Sequence, residues 1–375
     1  MITENLAFIF LIFAIGVLLA IWYFQQRTGK KARFRDTFLQ GLKAIVTGDR
    51  KKAMKLLREN ALADTANIDA YVLLGDLVRE EGSAAKALQI HRSALSRATL
   101  SKEQSARILK SLALDYTAIE DHDKAIEALN KALERKRDRW TEELLLEELE
   151  KKGKWEEAFE LLSKFSSDND KKKELLALYK VMIGNSTAET GNYHKARVLF
   201  KDAIRIDKDC KPAYMRIGDA YYADDRVDDA VEWWMKFTVK FPDIAWCCFE
   251  RLERAAYEQK DFGRMIVFYS DFINEHPEVE RAKVALAGLY ERMGRLEDAI
   301  DVLDKLDKPE LPVSLRLLNL IRRRDNIDDR VGKLIENLES ENQLKLDYKC
   351  SRCGYVSPGP IWYCFECGAW NSYGI

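Results

Sequence analysis

Residues 191–200 read GNYHKARVLF, and the same pattern of turn, small residue and apolar helix returns along the chain. It is seen in GSAAKALQIH (82–91), GKWEEAFELL (153–162), DRVDDAVEWW (225–234) and GRLEDAIDVL (294–303). Aligned, these stretches and their relatives place Ala53, Ala87, Ala125, Ala158, Ala196, Ala230, Met265 and Ala299 in one position, at spacings of 34, 38, 33, 38, 34, 35 and 34 residues. Such a period marks tandem helical hairpins, each burying its apolar face only by stacking on its neighbours. The two longer spacings carry four extra residues, about one helical turn.

Further positions follow the same period. Twelve residues before the alanine stands a small residue in Gly41, Gly75, Ala113, Gly184, Gly218 and Ala287. Tyrosine recurs in the first helix at Tyr116, Tyr221 and Tyr290. Glycine marks the inter-helix turn at Gly48, Gly82, Gly153, Gly191 and Gly294, and proline closes the unit at Pro242 and Pro277. Small residues let two helices approach closely while larger ones fill the groove. On these residues the stretch from 34 to 310 resembles the tetratricopeptide repeat. Residues 311–341 (LPVSLRLLNLIRRR, then DDRVGKLIENLES) read as a capping helix pair.

Composition supports a helical chain. The 375 residues contain only 7 prolines and 18 glycines, and 33% are charged, with a formal net charge of −1. That balance argues against a general nucleic-acid binder. Four of the seven cysteines, Cys350, Cys353, Cys364 and Cys367, crowd into the C-terminal 26 residues. The odd count and the clustering point to a reducing compartment and a metal rather than a disulfide framework.

The N-terminus points to a membrane. Residues 6–24, LAFIFLIFAIGVLLAIWYF, run 19 residues without a charge, roughly 28 Å as a helix against a hydrocarbon core of roughly 30 Å. A cleaved signal peptide fits poorly, because the run lacks a basic leader and ends in Trp22, Tyr23 and Phe24, residues suited to the membrane boundary. Residues 1–5 form a short non-cytoplasmic end. The basic segment 25–33, with Arg27, Lys30, Lys31 and Arg33, predicts a single span with the bulk of the chain on the cytoplasmic side.

At the other end, residues 348–375 form a four-cysteine metal-binding module. Cys350-Ser-Arg-Cys353-Gly354 and Cys364-Phe-Glu-Cys367-Gly368 are two CxxCG knuckles separated by ten residues. Four thiolates so spaced can close a tetrahedron on one ion, iron or zinc. With Trp362, Tyr363, Phe365 and Trp370, the knuckles also resemble rubredoxin, although a rubredoxin has a longer segment between them. The aromatics predict a patch that docks the module onto the helices. About 27 residues bury little core alone, so metal and docking would together support their fold.

Other residues read as structural. His91, His122, His194 and His276 make no paired metal spacing. Cys210, Cys247 and Cys248 read as reduced thiols in packing, Trp233 and Trp234 as core, and EELLLEELEKK (142–152) as a solvated helix face. No phosphate loop, dinucleotide fingerprint or nucleophile elbow is present, so nothing argues for an enzyme. The repeat frame puts partner-binding candidates on the first helices: Phe38, Leu42, Asp76, Arg79, Arg107, Lys110, Asn185, Met215, Asp219, Tyr222 and Glu291. They lack the full Lys/Asn/Arg set of a chaperone-tail clamp, which favours a folded surface or mixed peptide.

The order of anchor, basic segment, repeats and CxxCG pair resembles the lipopolysaccharide assembly protein B family across the full chain. The resemblance implies an all-α fold: an N-terminal transmembrane helix, a tetratricopeptide superhelix and a small rubredoxin-like or zinc-ribbon module of four cysteines packed against it. It implies a non-enzymatic adaptor at the cytoplasmic face of the Gram-negative inner membrane. Its implied partners are the FtsH protease, the lipid A deacetylase (LpxC), whose degradation it promotes, and other lipopolysaccharide synthesis and transport proteins. A homo-oligomer, a generic membrane scaffold and an electron-transfer protein stay open.

Overall fold

The structure is a computed structural model of the chain. It describes residues 34–374 apart from 64–66, 98–99, 166–168, 307–308, 310, 358 and all of 326–347 except 332, 335 and 338. The expected anchor and basic segment, and most of the second capping helix, lie outside these residues. Among the described residues no helix is long and apolar enough to cross a membrane. The chain divides into two compact units, Met1–Gly153 and Lys154–Ile375.

The first unit holds α1 (34–46), α2 (Arg50–Ala63), α3 (Ile68–Glu80), α4 (Ala84–Leu95), α5 (Lys102–Ala118), α6 (His122–Arg135) and α7 (Arg139–Lys151). The second holds α8 (Trp155–Ser163), α9 (Asp170–Glu189), α10 (Tyr193–Ile206), α11 (Lys211–Tyr222) and α12 (Val227–Lys240). A 3₁₀ turn (Pro242–Cys248) follows, then α13 (Phe249–Gln259), α14 (Phe262–Glu275), α15 (Glu280–Arg292), α16 (Leu296–Leu303) and α17 (Leu311–Asp325). The two longer repeat spacings appear as longer first helices, 17 residues in α5 and 20 in α9 against 13 in α3, α7 and α15. The insertions are thus absorbed as extra helical turns.

Helix pairing follows one register. The seven repeat alanines have no exposed surface, and Met265 is buried in the eighth place. Four residues after each comes a large buried side chain on the same face: Leu57, His91, Leu129, Leu162, Phe200, Trp234, Tyr269 and Leu303. Where the preceding helix carries a glycine, as at Gly41, Gly75, Gly184 and Gly218, the large side chain rests on it. A Cβ on Gly75 would lie 2.3 Å from His91, on Gly184 2.3 Å from Phe200 and on Gly218 2.4 Å from Trp234. Five residues before every repeat position the backbone is left-handed, with glycine in five units and Glu120, Asp225 and Lys260 in three. This bend ends one helix and aims the next back along it.

The seventh unit departs from the pattern. Its first helix opens as the 3₁₀ turn, where Ile244 leaves helical geometry at φ −126°. Glu253 occupies the small-residue position. Burial pushes its carboxyl above the usual carboxylate range, opposed by the Arg292 guanidinium at 3.3 Å.

One expectation is corrected here. Residues 142–152 are not a solvated face. Leu145, Leu146 and Leu149 are core, and Glu148 is fully buried, held by His122 Nδ1 at 2.7 Å and Lys151 Nζ at 2.8 Å. The C-terminal module adds what an all-α reading leaves out, an antiparallel sheet of β1 (Tyr348–Cys350), β2 (Val356–Ser357) and β3 (Tyr373–Gly374) in the order β2-β1-β3.

Gly184→Ala is expected to lower stability in denaturant unfolding. Overpacking against Phe200 costs about 1–3 kcal/mol, which exceeds the roughly 1 kcal/mol that alanine's helix propensity returns. Gly263→Ala, with no heavy atom within 4 Å of the new Cβ, should be neutral or stabilising. Equal effects at the two sites would show that the ring does not rest on the helix backbone.

Candidate metal centre

The first knuckle begins at the end of the central strand β1 and the second just after Tyr363, which bridges to Trp370, and each turns back through a glycine. Gly354 and Gly368 sit at φ +77° and +65°, and their N–H groups donate to the carbonyls of Cys350 and Cys364 at 2.8 Å. All four Sγ atoms lie within 4.8 Å of one another. Cys350 and Cys367 are 3.7 Å apart, and Cys353 and Cys364 3.6 Å. Disulfide sulfurs stand at about 2.05 Å, whereas a tetrahedron with metal–sulfur bonds near 2.3 Å has edges of about 3.8 Å. The separations therefore suit four ligands around one ion.

The surroundings favour thiolate at Cys350. Ser372 Oγ lies 3.0 Å from Cys350 Sγ. That contact, with the backbone N–H groups of Cys353 and Arg352, pulls the Cys350 thiol down to about 6. The N–H of Tyr355 points to Cys353 and that of Ala369 to Cys367. Desolvation nevertheless pushes Cys367 up to about 12. Four clustered thiols cannot all ionise without a cation to hold the charge. The donor set fits a single thiophilic ion, zinc or iron. Cys350 and Cys364 are buried, Cys367 half-buried and Cys353 exposed.

The module packs on the helices by aromatic contact. Trp155 of α8 meets Tyr363 and Trp370 edge-on, with ring centroids at 5.3 and 5.8 Å. Tyr179 of α9 meets Trp370 at 5.7 Å. Trp246 of the 3₁₀ turn stacks on Tyr348 at 5.2 Å, and Asn371 Nδ2 donates to Glu174 at 2.8 Å. The expected aromatic patch is thus real. Phe365 is the exception, touching Tyr363 while 70% exposed. The receiving residues Trp155, Tyr179 and Trp246 went unread in the sequence, although all three are aromatics within the repeats.

Most of the candidate partner residues are engaged by neighbours within their own unit. In the first unit Phe38 and Leu42 are half-buried on α1. Arg79 pairs with Asp76 at 2.9 Å and Asp115 at 3.0 Å, Arg107 with Asp69 at 2.5 Å and Lys110 with Asp138 at 2.5 Å. In the second, Asn185 lies 3.9 Å from Met182 Sδ. Asp219 accepts from Trp234 Nε1 and Arg251 Nε, Tyr222 donates to Glu258, and Glu291 takes Arg316 and Arg323. Met215 is a correction. It has no exposed surface, because its side chain fills the core beside Ile217.

The residues read as structural are placed as follows. His91 is fully buried between Asp115 at 2.5 Å and the Val72 carbonyl at 3.1 Å. Trp234 is buried and Trp233 half-buried. Burial pushes the thiols of Cys210 and Cys247 up to about 12.

Residues 65–138 and 181–234 match the tetratricopeptide repeat family, and residues 348–373 match the family described as rubredoxin metal binding domain. Lipopolysaccharide assembly protein B of Escherichia coli K12 is 20% identical over 376 residues, covering 94% of this chain and 93% of that protein. The chain is similar to lipopolysaccharide assembly protein B along nearly its whole length. The Haemophilus influenzae protein of that name is 21% identical with the same coverage. Among solved structures, the TPR2AB domain of yeast Sti1, in complex with an Hsp90 peptide, covers 83% of this chain and 98% of its own at 14% identity, with a TM-score of 0.34.

Purified protein is expected to carry about one equivalent of zinc or iron. Replacing Cys350 and Cys353 by serine should abolish it and lower the stability of the second unit. Metal content unchanged by the double substitution, measured by elemental analysis, would remove these sulfurs as ligands.

Proposed function

We propose that this chain is a membrane-anchored adaptor that regulates lipopolysaccharide biosynthesis from the cytoplasmic face of the inner membrane. In this reading it promotes FtsH-dependent degradation of the lipid A deacetylase (LpxC) and coordinates lipopolysaccharide assembly. The observation that carries the reading is the similarity to lipopolysaccharide assembly protein B over 94% of the chain, which spans repeats and cysteine module together. Tetratricopeptide pairs supply protein-recognition surfaces. The apolar run of residues 6–24 would confine those surfaces to the membrane where protease and client reside, and confinement raises effective concentration, so that modest affinities suffice. The cysteine module would be structural. Cys350, Cys353, Cys364 and Cys367 hold one ion, and the ion holds the aromatic docking surface. A homo-oligomer is compatible with this role.

The test is the cellular half-life of the lipid A deacetylase with this protein present and depleted. A longer half-life on depletion, abolished when FtsH is lost, is the expected result. An unchanged half-life would return the chain to a membrane scaffold for another complex. The exposure of Cys353 is the feature an electron-transfer role would need, and a colourless, zinc-loaded protein would remove that alternative.

A further inference from the structure

An open groove of about 860 Å³ lies between α13, α15 and α17, closed at one end by the cysteine module. It lies where the seventh unit departs from the repeat, and Trp246 of the 3₁₀ turn is part of its wall. Trp246, Val284 and Val313 line it from the helices, and Tyr348 lines it from β1. The rim is acidic: Asp243, Glu250, Glu278 and Glu280 are all exposed. Of these only Glu278 has a basic side chain within 4 Å among the described residues, the His276 ring at 3.5 Å. The arginines at the groove are differently placed. Arg292 and Arg316 are taken by Glu253 at 3.3 Å and Glu291 at 3.1 Å. Arg281 lies over the Trp246 ring at 5.0 Å, and its Nη1 has no hydrogen-bond acceptor.

An apolar floor edged by Asp243, Glu250 and Glu280, which make no ion pair among the described residues, selects a guest that is apolar in the middle and cationic at its edges. We infer that this groove binds an extended peptide segment of a protein client, with apolar side chains on Trp246 and Tyr348 and flanking Lys or Arg on the acidic rim. Tyr348 stands two residues before Cys350, so the groove has its full wall only when the cysteine module is folded. Metal loading then becomes a condition for client binding. The inference deepens the adaptor reading, on which its choice of a protein client rests.

The experiment uses the full-length protein in phosphatidylcholine nanodiscs. The probe is a fluorescein-labelled peptide of about eight residues, roughly 26 Å extended, alternating leucine and lysine. A control peptide has glutamate in place of lysine. Anisotropy should show the lysine peptide binding about tenfold tighter or more than the control. Glu250→Lys with Glu280→Lys, both on exposed positions, should erase that preference without changing helical circular dichroism. Chelating the metal should weaken binding by about fivefold or more while the helices persist. Equal binding of the two peptides, or an unchanged affinity in the double variant, overturns the groove. Salt-sensitive dimerisation of the wild type that the double variant abolishes also overturns it, by making the groove an interface between copies. Loss of peptide selectivity would leave the adaptor reading standing, and an unchanged deacetylase half-life would leave the groove standing.

Discussion

The contact on which the helical architecture depends is a large side chain laid against the backbone of the helix before it. Where Phe200 or Trp234 rests on Gly184 or Gly218, the opposing helix has no Cβ to hold it off. This approach fixes the distance between the two helices of a unit and the face each turns to its neighbour. The left-handed residue five positions before each repeat alanine supports it by fixing where the first helix stops. Three units place Glu120, Asp225 or Lys260 there, accepting a strained backbone to keep the register. The rule bends in the seventh unit, where Glu253 replaces the small residue and Tyr269 is its large partner. That unit is also the one that opens a groove and receives Tyr348.

The cysteine module and the repeats support each other. Strands of two and three residues cannot hold a sheet by themselves. Sulfur–metal bonds would organise the module from within, while Trp155, Tyr179 and Trp246 cover it from one side. Because the same aromatic surface belongs to both parts, loss of the ion would loosen the module's hold on the helices as well as the knuckles. The module's likeness to rubredoxin is one of local geometry. Its role in this chain follows from what it packs against.

Sequence showed the period and the cluster because both are carried by residue type at fixed spacing. Ala196 and Gly184 announce a helical hairpin wherever it stands in the chain, and two CxxCG knuckles announce an ion. Less legible was anything that depends on which face of a helix meets which neighbour. Residues 142–152 read as solvated because charges dominate them, yet Glu148 is buried by a histidine 26 residues away. Met215 fell in the partner-facing frame but turns inward, since a one-position rotation of a short helix moves a side chain by about 100°. Trp246 could not be placed in advance, because the 3₁₀ turn that carries it breaks the period.

The bond between Asn371 and Glu174 joins residues 197 positions apart. During synthesis, α8 and α9 leave the ribosome well before residues 348–374 exist to cover Trp155 and Tyr179. A nascent or truncated chain would therefore display an uncovered aromatic surface on otherwise finished repeats. Such a surface is what quality-control machinery recognises. Only a chain read as far as its cysteines, and able to find an ion for them, hides that surface.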